Sequence, residues 1–161
     1  MIKLYKRVDK KFHYWETWES DEDAAIIHWG IVGDKGQMKE VKSNRKTNYE
    51  KVVQREYSAK TENGFVEFDE NNFQLLAIEY KIDGKGTKAD LNKRHDLEDY
   101  LSEILGWTGL GHVEGGKIGS GTMEVGCQVV DFEIAISVIE KELKNTEFGD
   151  YSRIISLETE N

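Results

Sequence analysis

Apolar and polar residues alternate along the first part of the chain, and a spacing of three and four takes over further on. From Ile2 to Val8, Ile2 and Leu4 alternate with Lys3, Tyr5 and Arg7, which predicts a strand because successive strand side chains face opposite sides. Asp9-Lys10-Lys11 leads into an aromatic second strand, Phe12 to Trp18, followed by an acidic loop from Glu19 to Asp23. Ala25 to Gly33 reads as a third strand, Asp34-Lys35-Gly36 as a tight turn, and Gln37 to Ser43 as a returning fourth strand. The period then changes. Tyr49, Val52, Val53 and Tyr57 form one stripe of an amphipathic helix that starts near Thr47 or Asn48 and stops at Asn63-Gly64.

The remaining pattern predicts β-α-β-β-α-β. Leu75 to Ile82 is a strand and Asp83 to Thr87 a loop. Leu97, Leu101, Ile104 and Leu105 mark a helix that begins by Asp90 and ends at Gly106. Extended runs from Gly111 to Ile118 and Thr122 to Val130 are joined by the Gly119-Ser120-Gly121 hairpin. Asp131 caps a helix from Phe132 to Lys144, and Arg153 to Leu157 closes as a strand. That order is the ferredoxin-like split βαβ sandwich. The fold class expected is therefore α+β, with a strand meander and one helix over 1–70 and the βαββαβ domain over 71–161. Polar Asp69-Glu70-Asn71-Asn72 serves as the linker.

In the first part, Trp29-Gly30-Ile31-Val32-Gly33 is followed by Gly36-Gln37, then Val53, Tyr57, Lys60, Gly64 and Phe65. This ordered series resembles the WGR domain, with its W-G-R-[IV]-G motif, turn, G-Q, helix with aromatic spacing, late lysine and G-[YF]. The likeness covers about residues 1–68. It implies an interaction role: family members in poly(ADP-ribose) polymerases act at a DNA end and against neighbouring domains, with the motif tryptophan and arginine at the interface. Here Ile31 stands at the arginine position and offers no donor to phosphate. That departure points toward protein contact.

Charge sharpens the picture. Residues 1–68 carry 13 Lys and Arg against 12 Asp and Glu, whereas 69–161 carry 9 against 19. The second region repels phosphate backbones and attracts basic proteins, so any nucleic-acid contact belongs to the first. Within it, the segment 34–60 has eight cations against four carboxylates. Candidate contact residues are Trp29, Lys35, Lys39, Lys42, Arg45 and Lys46. The plainer account of these cations is a solvated helix face with ion pairs.

Motifs for catalysis are scarce. Gly111 to Lys117 fits the opening of G-x-x-x-x-G-K, but Ile118 replaces the magnesium-holding Ser or Thr, and the segment reads as a strand. Its glycines suit a twisted or bulged hairpin. Cys127 is in phase with Met123, Val125 and Val129, so it is expected on a buried strand face. His95, Glu98 and Asp99 share a helical patch without a second ligand pair, and His13 and His28 lie among aromatics. Trp15 and Trp18 face opposite sides of their strand, and Trp107 is expected as a core plug.

No catalytic, cofactor or metal set is expected. The function expected is a non-catalytic interaction module for a protein partner, basic in charge, with a regulatory or immunity-like role. The alternative is a DNA contact through Trp29 and the basic segment 35–60. A third class, an enzyme using the glycine-rich hairpin, requires a concave site around residues 109–121. One cysteine, the absence of an apolar leader or lipidation motif, and no membrane-length apolar run lead to a cytoplasmic expectation.

Overall fold

The computed structural model describes residues 1–157 and is α+β, with two antiparallel sheets and three helices. The chain divides into two compact units, Met1–Asp69 and the residues from Glu70 onward.

The first unit is a meander. Strands β1 (Ile2–Val8), β2 (Lys11–Asp21), β3 (Ala24–Ile31) and β4 (Gln37–Lys42) lie in that order, each antiparallel to the next. Helix α1 (Tyr49–Glu62) begins at Asn48, whose side chain accepts the Lys51 N–H at 2.9 Å and so satisfies one unpaired first-turn donor. Alternation sends Leu4, Trp15 and Ile27 to the side where Val53 and Tyr57 of α1 and Phe65 pack. Burying each such side chain contributes about 1.5–3 kcal/mol. After the helix the chain returns to β1, where Tyr5 and Val66 exchange backbone hydrogen bonds of 2.8 and 3.0 Å.

Only Glu22 and Asp23 of the acidic stretch Glu19 to Asp23 form the expected turn; Glu19 to Asp21 are strand, which corrects the sequence expectation for those residues. Strand β2 runs through Asp21, with a bulge between Glu19 and Asp21, and β3 begins at Ala24. The strand persists because its acidic end has partners: the Tyr49 hydroxyl donates to Glu19 at 3.0 Å, and Ser20 donates to Glu40 at 3.4 Å.

The second unit contains β5 (Gln74–Lys81), α2 (Lys88–Trp107), β6 (Gly111–Gly119), β7 (Thr122–Val129), α3 (Phe132–Leu143) and β8 (Arg153–Leu157). The sheet order is β6-β7-β5-β8, with β7 antiparallel to both β5 and β6. Strands β5 and β6 therefore run the same way with β7 between them, the ferredoxin-like split βαβ arrangement. Leu76, Ile78, Met123, Val125 and Cys127 from the sheet are buried, as are Leu97, Leu101 and Leu105 of α2 and Ala135, Ile139 and Leu143 of α3. Helix α2 starts two residues before Asp90, because Thr87 and Asp90 form a reciprocal capping box with bonds of 3.1 and 2.9 Å. Ser120 and Gly121 both take positive φ, 53° and 81°, the geometry of a two-residue hairpin.

Trp107 is not the expected core plug. The helix continues through Gly106, so Trp107 stays on its flank, half-buried, with its indole N–H 3.1 Å from Glu103. Thr108 and Leu110 take the buried places; the Thr108 hydroxyl donates to the Ile104 carbonyl at 2.6 Å.

Candidate functional site

Trp29 pairs with Trp15 on β2 and Gln37 on β4, on the face of the sheet that carries Ile27. Between this face and α1 lies a cavity of about 280 Å³, lined by Trp15, Ile27, Trp29, Lys39, Glu56, Ala59 and Lys60. The Lys39 ammonium stands 5.8 Å from the Trp29 ring centroid and is hydrogen-bonded to Glu56. Lys60 lies 4.9 Å from the Phe65 ring centroid. The notch therefore has an apolar floor and a rim of both signs, suited to an apolar side chain with a polar flank.

The six candidate residues do not form one patch. Lys39 joins Trp29 directly. Lys35 is exposed in the turn before β4, and its carbonyl accepts from His28. Lys42 is on the opposite face of β4 from Lys39 and lies 3.6 Å from Glu40. Arg45 and Lys46 are exposed in the turn held by Asn44, whose side chain accepts the N–H groups of Lys46 and Thr47 at 2.8 and 3.0 Å. Because Trp29 is level with Gln37, the end of β4 at Lys42 is about 17 Å away at roughly 3.3 Å per residue.

Trp15, Glu56 and Ala59 also line the notch and were not singled out from sequence for this role. The available signal was the Glu56–Lys60 spacing of four on the flank of the apolar helix stripe.

A buried polar cluster holds the turn before β4. Glu16 and His28 are 4 % and 1 % exposed, and Glu16 Oε1 is 2.7 Å from His28 Nδ1. Lys3 approaches the other Glu16 oxygen at 3.6 Å. His28 Nε2 faces the Lys35 carbonyl and lies 3.2 Å from the Tyr14 hydroxyl, which donates to the Asp34 carbonyl at 2.8 Å. Burial, reinforced by the Glu16 charge, raises the Tyr14 pKa above the ordinary tyrosine range and preserves that O–H donor. Gly36 completes the fit: its φ is +66°, and a Cβ there would lie 2.1 Å from the Trp29 carbonyl oxygen.

In the second unit, Gly111 to Lys117 lies within β6, and its ladder with β7 shifts register between Val113 and Gly115. A cavity of about 270 Å³ is lined partly by Gly115, Gly116, Lys117 and Cys127. Cys127 is buried, and burial pushes its thiol up to about 12, away from the reactive thiolate. His95 lies 3.8 Å from Glu98 on an exposed helix face. Among the described residues no three His, Cys, Asp or Glu side chains gather as a metal set, and no helix is long and apolar enough to cross a membrane.

No protein-family model, curated protein or solved structure matches this chain.

Proposed function

We propose that the chain is a non-catalytic interaction protein whose WGR-like first unit holds a polypeptide at the Trp29 notch. The supporting observation is the charge around the tryptophan: Lys39, the cation beside its ring, is already hydrogen-bonded to Glu56. Phosphate binding draws its affinity from cations that replace counterions along a backbone track. Lys42, Arg45 and Lys46 belong to the far end of β4, and Ile31 contributes no donor beside Trp29. A small apolar notch with a mixed-charge rim suits a protein side chain. The second unit, with 9 cations against 18 carboxylates over 70–161, disfavours a polyanion and favours a basic protein surface.

The test is affinity capture by the intact chain and by Trp29→Ala, with nuclease-treated and untreated samples in parallel. The expected result is a nuclease-resistant polypeptide retained by the parent and lost with Trp29→Ala. Recovery of nuclease-sensitive material alone, or equal capture by both forms, contradicts the proposal.

A further inference from the structure

Strand β4 ends the first sheet, and its residues are exposed except for half-buried Val41. An edge strand presents unpaired N–H and C=O groups to which another extended chain can add. The other three sheet edges differ. Strand β1 is met by Val66 through the Tyr5 backbone bonds. The register of β6 breaks between Val113 and Gly115, and β8 comprises five of the described residues. Strand β4 pairs with β3 without a register break, from Gln37 to Lys42.

The surroundings of β4 select the added chain. From Asp34 to Lys46 there are five cations, Lys35, Lys39, Lys42, Arg45 and Lys46, against Asp34 and Glu40. Lys35, beside the exposed Asp34, precedes the strand, whereas Arg45 and Lys46 follow it, so an exposed cation stands at each end and the positive excess lies beyond Lys42. Between them Met38 is 50 % exposed, an apolar contact on the face opposite Lys39. Six residues span about 20 Å, enough for a short strand.

We infer that β4 receives an extended acidic segment of a protein partner by β-strand addition, with carboxylates at its two ends and apolar or β-branched residues between. Main-chain hydrogen bonds along the edge would supply affinity, while cross-strand charge pairs and Met38 select the sequence. This rests on the polypeptide-binding reading and adds the backbone conformation and the local charge of the one segment held at β4; the basic character proposed for the partner concerns the surface that meets the acidic second unit, not this segment. The Trp29 notch lies beside the same strand through Lys39, so one side chain of the bound segment can enter it.

The probe is a fluorescein-labelled octapeptide with two glutamates at each end of a Val-Thr-Val-Thr centre. Its anisotropy and the amide hydrogen exchange of the full chain are recorded together. Saturable binding with added protection at Gln37 to Lys42 is expected. A twin peptide N-methylated at alternate residues should bind at least roughly tenfold more weakly, because it loses half its strand amide donors. The lysine-ended twin should also bind more weakly, and Lys42→Glu together with Lys46→Glu should reverse that preference. Equal binding of the methylated twin, protection confined to other strands, or protection arising only from self-association of the chain overturns the inference. If the probe does not bind while a Trp29-dependent polypeptide is still captured, strand addition fails and the polypeptide reading stands.

Discussion

The two units bury different kinds of residue. In the first, Glu16, Thr17 and His28 are buried alongside Leu4, Trp15 and Ile27; in the second, Thr108 is the buried polar residue among the described residues, within a largely aliphatic core. The second unit places two helices over its sheet, with Leu97, Leu101, Leu105, Ala135, Ile139 and Leu143 buried. The first has one helix and leaves Trp29 half-buried beside a cavity. Hydrogen-bonded polar groups contribute directional constraint, whereas aliphatic packing contributes mainly burial energy. The contrast is one of composition rather than of cavity size: the Glu16–His28–Tyr14 cluster fixes the turn beside the Trp29 notch, whereas the cavity of the second unit opens among mainly aliphatic and glycine positions.

The largest predicted effect breaks the polar side of this contrast. Glu16→Leu leaves His28 buried without its carboxylate and should cost about 3–5 kcal/mol in urea unfolding. Glu16→Leu combined with His28→Leu should recover much of that loss, because neither partner remains uncompensated. Equal damage from the single and double variants would show that the pair has no shared role.

On the aliphatic side, Leu101→Ala removes a fully buried α2 side chain and should cost about 2–5 kcal/mol, read by the urea midpoint. A loss below about 1 kcal/mol would mean that the core repacks around the gap.

A pH series sharpens the comparison further. Cys127 rises from its reference value of 9.0 to about 12, so the folded state keeps a thiol proton that the unfolded chain releases. Its contribution is complete below pH 9 and declines as pH approaches 12, by about 1.4 kcal/mol per pH unit. Stability measured against Cys127→Ala should therefore converge above pH 9; a constant difference contradicts the assignment. The smallest expected effect is Tyr49→Phe, which deletes the hydrogen bond to Glu19 and should cost about 1 kcal/mol by thermal or urea unfolding.

The sequence carried the local signals well. Asn48 and Asp131 cap the helices as their positions suggested, and β8 spans Arg153 to Leu157 as expected. Cys127 occupies the buried row predicted by alternation with Met123, Val125 and Val129. Errors arose where a distant partner decided the outcome. The acidic end of β2 became strand because the Tyr49 hydroxyl donates to Glu19 and the Ser20 hydroxyl donates to Glu40. Trp107 is a local exception: α2 includes it one residue past Gly106 and its indole donates to Glu103 on the same helix flank.

The candidate site was only partly legible for the same reason. Lys42, Arg45 and Lys46 are close in sequence to Lys39, yet strand alternation and rise carry them to another face or the far end of β4. The contact that defines the notch joins Lys39 to Glu56 across β4 and α1, and composition gives no register for that meeting.

Titration of the intact chain with a labelled DNA duplex over a salt series tests the recognition account most directly. The account predicts no saturable duplex binding even at low salt, since the cation beside the Trp29 ring is paired with Glu56 and the other basic residues are dispersed. Saturable binding that weakens steeply with salt and disappears in Trp29→Ala would contradict it and identify that face as a nucleic-acid contact.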